Sequence, residues 1–144
     1  MLGVQAAGCA PVTQAFERGT LNRSFEGDTY ADSINVAIPR NWRKAVNAVR
    51  DSGGTYVNAS DEQIMDAVKL TGRLTGVFAE PAAATAVAGI AVARQRGIIG
   101  ADADVVAMIT GNGLKDVQGA LRAVGDPNDI PPTIEAVEKV VSNR

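Results

Sequence analysis

The segment VVAMITGNGLKD, residues 105–116, ends an apolar run at Thr110 and places two glycines within the next three positions. A hydroxyl followed by glycines suits a ligand site, because glycine lets the backbone approach a bound molecule closely. Two phosphate-binding patterns fail here: G-x-G-x-x-G would need glycine where Asp116 stands, and a P-loop would need Ser or Thr after Lys115. Two interpretations therefore remain possible. The segment either forms a ligand site or forms a plain strand-to-loop turn, with glycines at positive φ and Thr110 as a cap.

Two other segments place small residues at the end of a predicted element. The segment GVQAAG, residues 3–8, follows an apolar run, and FAEPAAA, residues 78–84, starts a helix at Pro81. Glu80 is placed to cap that helix or to pair with a backbone amide, and the alanines suit close packing. Small residues there also leave room for a flat ring against the backbone. The spacing alone does not choose between these roles.

The composition narrows the possible chemistry. The chain of 144 residues has no histidine and one cysteine, Cys9, which excludes histidine-based triads and most zinc sites, so no metal site is expected. Without a nearby base, Cys9 is interpreted as a buried structural thiol. The net charge of −2 and the absence of a basic run argue against nucleic acid and membrane partners. A lone cysteine and no membrane-length apolar run predict a cytoplasmic protein.

Strands and helices alternate along the chain. Strands are predicted at 2–5, 55–59 and 104–110, and the last does not alternate in polarity, as expected for a parallel sheet covered on both faces. Helices are predicted to end at Gly19, to run from Asn41 to the glycines at 53 and 54, to run from a capping Ser60 to Gly76, and to run from Pro81 to Arg94. The last of these is apolar all round and is expected to be buried.

The remaining segments connect these elements. Residues 20–33 are predicted to form a loop on the site side, 34–39 a short extended piece ended by Pro39, and 124–132 a linker. A final helix follows Pro131 and Pro132, with its apolar residues expected to face inward: Ile134, Val137, Val140 and Val141. The whole predicts one α/β domain over 1–144, with three layers and helices on both faces of a mostly parallel sheet.

Several motifs in order, GVQAAGCAP, ADSI, PRNW, SDEQI, GVFAEPAAA and TGNGLKDV, resemble threonine synthase. That family contains pyridoxal-phosphate enzymes of fold type II, which it shares with tryptophan synthase β and threonine dehydratase. The resemblance covers roughly residues 2–120 and implies the C-terminal half of such an enzyme. It also implies pyridoxal phosphate as cofactor and a lyase reaction of threonine biosynthesis, in which O-phosphohomoserine and water give threonine and phosphate.

The resemblance implies that the hydroxyl of Thr110 bonds the pyridine nitrogen of the cofactor. A neutral hydroxyl does not hold that nitrogen protonated, which suits elimination and replacement chemistry. Ala7 is implied to lie against the ring face. The full set of implied cofactor-binding residues is Thr110, Gly111, Asn112, Gln5, Ala6, Ala7, Glu80, Pro81 and Ala82.

The resemblance also implies that the Schiff-base lysine, the asparagine over the ring hydroxyl and the glycine-rich phosphate loop lie upstream of this stretch. A Schiff-base lysine needs a lowered pKa. Lys44, Lys69 and Lys139 are interpreted as charged surface residues, and Lys115 is expected to stay charged and wet beside Asp116. No catalytic residue is therefore expected in this chain, and the isolated chain is expected to be inactive.

Two alternatives remain open: a non-catalytic binding domain that keeps half of the old pocket, and part of a threonine dehydratase-like enzyme. The expected partners are the missing half of the enzyme or a second copy of the chain, because strand 2–5 and helix 81–94 carry apolar faces that need cover. A homo-oligomer, a dimer with one of these two elements at its interface, is the prediction.

Overall fold

The computed structural model describes residues 1–125 and 127–142. Strands and helices follow in the order β1 (Leu2–Ala6), α1 (Pro11–Arg18), α2 (Trp42–Asp51), β2 (Thr55–Ala59), α3 (Asp61–Thr75), α4 (Pro81–Gln95), α5 (Val117–Val124) and α6 (Ile134–Ser142). Short 3₁₀ turns occupy Asp32–Ile34 and Gly113–Lys115. The predicted α/β class is confirmed.

The sheet consists of β1 and β2, which run parallel with Leu2 opposite Thr55 and Ala6 opposite Ala59. Successive side chains of a strand point to opposite faces. Ala6 and Val57 therefore belong to the main core with α3 and α4, while Tyr56 packs in a smaller cluster with α1 and α2. Helices thus cover both faces of a parallel sheet, and the three predicted layers are present.

The ends of α1 and α3 follow from local chemistry. The Ser60 hydroxyl accepts from the Gln63 amide at 3.2 Å, and the Gln63 side chain accepts from the Ser60 amide at 2.9 Å, which completes the predicted capping box. Gly76 ends α3 at φ 71°, and Gly19 ends α1 at φ 77°. These left-handed conformations favour glycine, so both predicted ends are confirmed.

The predicted strand at 104–110 is wrong in this structure. Among the described residues, no neighbouring strand forms backbone hydrogen bonds with this segment. A strand exists only where its backbone groups find such partners. Val106 is 95% exposed and Met108 73% exposed. Residues 105–109 are apolar, as a buried strand requires, but a sequence pattern cannot show whether a partner strand is present.

The C-terminal helix forms where it was expected, but the prediction that its apolar residues face inward is wrong. Ile134 and Val141 are each 65% exposed, Val137 is 44% exposed and Val140 is half-buried. Periodicity gives a helix an apolar face and does not show what covers that face. The predicted linker at 124–132 contains no helix or strand in its described part beyond Val124, and its residue 126 lies outside the described residues.

Two local features differ from the sequence prediction. The expected extended piece at 34–39 contains no strand, because Ile34 closes a 3₁₀ turn instead. Helix α5 was not predicted, although its apolar residues fall at the helical spacing i, i+3, i+4 and i+7 and the Asp116 carboxylate accepts from the Gly119 amide at 2.8 Å. Within 1–125 and 127–142, no helix combines the length and the apolar character that crossing a bilayer requires.

Two helical glycines provide a matched test of the packing between α4 and the sheet. A Cβ on Gly89 would lie 2.3 Å from a methyl group of Val4, whereas a Cβ on Gly72 would meet only the Val77 carbonyl at 4.0 Å. Gly89→Ala is expected to lower the free energy of unfolding by about 1–3 kcal/mol through overpacking. Gly72→Ala is expected to raise it by about 0.5–1 kcal/mol through helix propensity. Urea unfolding of both variants measures the two signs, and equal effects would contradict the close contact of α4 with β1.

Candidate functional site

The segments FAEPAAA (78–84) and TGNGLKD (110–116) lie next to each other in the structure. The Glu80 amide donates to the Gly111 carbonyl at 3.1 Å, and the Gly113 amide donates to the Phe78 carbonyl at 2.8 Å. Ala79 and Asn112 thereby form an isolated antiparallel bridge. The start of α4 and the turn after Thr110 are consequently fixed to each other.

The glycines of this turn are required by packing and not by backbone conformation. A Cβ on Gly111 would lie 2.0 Å from Oε1 of Glu80, and a Cβ on Gly113 would lie 2.2 Å from the Phe78 ring. Neither glycine has a positive φ. The simple-turn interpretation, which assigned them positive φ, is therefore wrong on that point.

The Thr110 side chain does not act as a cap. Thr110 is exposed, and its hydroxyl bonds no other group in the described part of the chain. The cap of the following 3₁₀ turn is Asn112, whose side-chain oxygen accepts from the Leu114 amide at 2.9 Å. The Thr110 hydroxyl is therefore available to a ligand.

The Glu80 carboxylate is buried, with 5% of its side chain exposed, and it joins three segments of the chain. Lys115 Nζ lies 3.5 Å from Glu80 Oε1, and the Ser33 hydroxyl donates to Glu80 Oε2 at 3.4 Å. Lys115 Nζ also donates to the Ser33 hydroxyl at 2.9 Å. A buried carboxylate needs such partners, because burial without compensation is costly. Neither sequence-based role for Glu80, a side-chain cap or a backbone-amide pair, is present.

Lys115 is exposed over 62% of its side chain, in agreement with the expected contact of this lysine with solvent. Its ionic partner is Glu80 and not the adjacent Asp116, which caps α5 instead. The other three lysines are also exposed at the surface: Lys44, Lys69 and Lys139.

The other predicted site residues divide into structural and accessible ones. The Gln5 side-chain oxygen accepts from the Val12 and Thr13 amides, both at 2.8 Å, and so caps α1, whose own N-cap is an alanine. Ala6 is fully buried in the main core. Ala7 is exposed and held by its amide, which donates to the Ala59 carbonyl at 2.7 Å.

At the start of α4, Pro81 is buried and Ala82 is half-buried. A cavity of about 610 Å³ lies elsewhere, between α3 and α4. The candidate site is therefore an open surface formed by Thr110, the 78–82 segment and the neighbouring turn.

The polar loop at 20–33 is fastened to its surroundings. The Asp28 amide donates to the Gly8 carbonyl at 3.0 Å, the Thr29 hydroxyl bonds the Asp61 carboxylate, and Ser33 joins the Glu80 network. Burial, followed by the negative charges of Asp61 and Asp116, raises the pKa of Tyr30. The Tyr30 hydroxyl therefore stays neutral, and it has no hydrogen-bond partner among the described residues.

Cys9 is fully buried beside this loop. Burial is the main cause that raises the pKa of its thiol, and the Asp28 charge acts in the same direction. A raised pKa disfavours the thiolate that a nucleophile requires. The structure therefore agrees with a structural role for Cys9.

Residues 1–111 match the model of the family described as pyridoxal-phosphate dependent enzyme. The chain belongs to this family. It is similar to threonine synthase of Methanosarcina acetivorans, with 36% identity over 143 residues that cover 98% of this chain and 35% of the relative. Threonine synthase of Mycobacterium tuberculosis is 38% identical over 141 residues, which cover 97% of this chain and 38% of the relative. The resemblance to threonine synthase is confirmed, and the stretch matched is nearer a third than a half of the relatives' length.

Solved structures show the same fold. Threonine synthase from Escherichia coli superposes with a TM-score of 0.62 and 16% identity, over 99% of this chain and 37% of that chain. The processed form of threonine deaminase isoform 2 from Solanum lycopersicum superposes with a TM-score of 0.69 and 22% identity, over 87% of this chain and 36% of that chain. These likenesses confirm the predicted partial fold-type II domain.

Sequence reasoning missed Ser33 and the pairing of Lys115 with Glu80. Ser33 stands in ADSI, one of the motifs that carried the resemblance, and this was the available signal. Lys115 and Glu80 lie 35 positions apart, so spacing along one element could not have joined them.

The buried carboxylate predicts unequal effects for two lysines. Lys115→Met leaves Glu80 with only the Ser33 hydroxyl and is expected to lower the free energy of unfolding by about 1–2 kcal/mol. Lys69→Met breaks a surface pair with Asp66 at 3.0 Å and is expected to cost less than about 0.5 kcal/mol. Adding Glu80→Gln to Lys115→Met is expected to recover part of the loss. Urea unfolding of the variants tests this, and additive effects of the two changes would contradict the pairing.

Proposed function

We propose that the surface around Thr110 is one wall of a pyridoxal-phosphate site in a threonine synthase, a lyase that converts O-phosphohomoserine and water to threonine and phosphate. The observation that carries this proposal is the backbone pairing of 78–80 with 111–113, which fixes the turn that directly follows Thr110 to the start of α4. The 34–38% identity to threonine synthases supports this reaction over that of a dehydratase. The assignment implies a cytoplasmic enzyme of threonine biosynthesis.

The residues fit this cofactor in two respects. The Thr110 hydroxyl bonds nothing else in the described structure, and Ala7 and Ala82 offer small side chains at exposed or half-buried positions. The side chains of Gln5 and Ala6 would not contact the cofactor, because Gln5 caps α1 and Ala6 is buried in the core. They would only fix the position of the neighbouring Ala7. When bound, pyridoxal phosphate supplies an electron sink for negative charge at a substrate carbon.

In this proposal, the role of this chain is to hold and orient the cofactor. The Thr110 hydroxyl would bond the ring nitrogen without holding it protonated, which moderates the electron sink and favours elimination and replacement. The Glu80 network would keep Thr110 and α4 in fixed relation. Covalent anchoring and proton transfer would belong to the part of the relatives that this chain does not cover, because each of the four lysines here is exposed.

The second candidate is a non-catalytic binding domain that keeps one wall of the pocket. The exposure of all four lysines favours it as much as it favours a partial enzyme. Supplying the remaining segment of a threonine synthase as a second polypeptide separates the two. Phosphate release from O-phosphohomoserine supports the first candidate, and tight association without phosphate release supports the second.

The isolated chain is expected to form no specific covalent adduct with pyridoxal phosphate and to have no turnover. An exposed lysine lacks the buried setting of a Schiff-base lysine, so the four lysines are expected to react without selectivity. Borohydride reduction followed by peptide mass spectrometry measures adducts at Lys44, Lys69, Lys115 and Lys139. One lysine labelled far above the others, together with turnover, would contradict the partial-enzyme proposal.

Thr110→Asp is expected to change the cofactor's absorbance spectrum in the complemented enzyme while it leaves stability within about 0.5 kcal/mol of wild type. A carboxylate would hold the ring nitrogen protonated, whereas the hydroxyl does not. Thr20→Asp, an exposed change in the polar loop, is the matched control and is expected to leave the spectrum unchanged. An unchanged spectrum and a lost fold in Thr110→Asp would assign Thr110 a structural role instead.

A further inference from the structure

A buried negative charge lies against the residue that follows Thr110. A Cβ on Gly111 would lie 2.0 Å from Oε1 of Glu80, so a Cα–Cβ bond of about 1.5 Å places Oε1 within about 3.5 Å of the Gly111 Cα. Consecutive Cα atoms are about 3.8 Å apart, which brings this oxygen within about 7.3 Å of the Thr110 Cα. Only 5% of the Glu80 side chain is exposed, so little water screens its charge.

The contacts of Glu80 are those of an ionised carboxylate. Lys115 Nζ lies 3.5 Å from Oε1, and the Ser33 hydroxyl donates to Oε2 at 3.4 Å. An ionised carboxylate only accepts hydrogen bonds, and here a donor faces each of its oxygens. Because Ser33 is neutral, Lys115 is the cation that faces this carboxylate within the described residues.

The pair of charges bears on the cofactor site proposed above, on which this inference rests. A negative charge favours the protonated form of a nearby basic nitrogen, and a positive charge disfavours it. The Thr110 hydroxyl is neutral and cannot offset a carboxylate that lies one residue away. Glu80 without a cation would therefore oppose the neutral ring nitrogen that suits elimination and replacement chemistry.

We propose that Lys115 is the counter-charge of this site: it offsets the charge of Glu80 at the Thr110 surface, so that the Thr110 hydroxyl can hold a neutral ring nitrogen. Lys115 acts through Glu80 and touches neither substrate nor cofactor. Ser33 positions it, since Lys115 Nζ donates to the Ser33 hydroxyl at 2.9 Å. The type of reaction would thus depend on a lysine outside the catalytic machinery.

Other titratable groups surround this network and have other roles. Asp116 caps α5, and Asp61 accepts from the Thr29 hydroxyl. Asp32 is exposed beside the positioning serine. Burial raises the pKa of Tyr30, so its hydroxyl stays neutral. All of these groups are unchanged in the variants below, so their contribution to the field at position 110 is constant.

The field at position 110 can be measured in the chain itself. Thr110→Cys places a thiol at an exposed position, while Cys9 stays buried and unreactive. The pH dependence of alkylation by iodoacetamide gives the pKa of the introduced thiol. Adding Lys115→Met is expected to raise that pKa by about half a unit to one unit, because the Glu80 charge is then uncompensated. Adding Lys115→Arg is expected to leave it unchanged.

Removal of both charges separates an electrostatic role from a structural one. Lys115→Met with Glu80→Gln is expected to return the pKa of the introduced thiol to its value in the single Thr110→Cys variant. Lys69→Met, which removes a lysine from a surface pair with Asp66, is the matched control and is expected to have no effect. Equal pKa values with and without Lys115, or a shift that Glu80→Gln does not reverse, would overturn the proposal.

The ring nitrogen is tested in the chain combined with the remaining segment of a threonine synthase. Pyridoxal phosphate that carries an isotopic label at this nitrogen is bound, and nuclear magnetic resonance distinguishes the protonated from the neutral form. Lys115→Met is expected to raise the ratio of protonated to neutral nitrogen by about threefold to tenfold, and adding Glu80→Gln is expected to restore it. Failure of the wild type to bind the cofactor would refute the proposed function and this role with it. Binding with an unchanged ratio would refute the role of Lys115 alone.

Discussion

The arrangement of the candidate site depends on one buried charge, the carboxylate of Glu80. A carboxylate with 5% of its side chain exposed requires compensation, and here it comes from a lysine and a serine in two other segments. That requirement draws the 3₁₀ turn at Asp32–Ile34 and the turn after Thr110 towards the start of α4. The backbone pairing of Ala79 with Asn112 fixes the same junction without using any side chain. The side-chain bonds of Glu80 and the backbone bridge together fix the position of the Thr110 surface relative to the start of α4.

Local chemistry made much of the fold predictable. The capping box at Ser60, the proline at the start of α4 and the glycines at 19 and 76 act within a few residues, and each predicted end is present. Helix α5 was equally predictable, since Asp116 and its apolar spacing are local signals that were overlooked. The conformation of residues 104–110 was not predictable, because a strand depends on a neighbouring strand, and no pattern within the segment shows whether one is present.

The site was only partly predictable for the same reason. The motifs identified Thr110, Glu80 and their glycines, but the physical cause of those glycines is a contact between segments about 30 positions apart. Gln5 illustrates the converse case: it stands in a diagnostic motif, yet its side chain replaces the missing cap of α1. A motif residue can therefore be fixed by the packing of the fold while the candidate ligand surface is formed by its neighbours.

The contact between Gly111 and Glu80 also limits how the sequence can drift. A side chain at 111 would occupy the space of the Glu80 carboxylate, so it could be accepted only together with a shorter residue at 80. That second change would leave Lys115 and Ser33 without their common acceptor. Asn112, whose part in the bridge is made by backbone, carries no such restriction beyond its cap. Positions 33, 80, 111 and 115 are therefore expected to covary as one unit among relatives, while position 112 is expected to be limited only to residues whose side chain can cap the 3₁₀ turn.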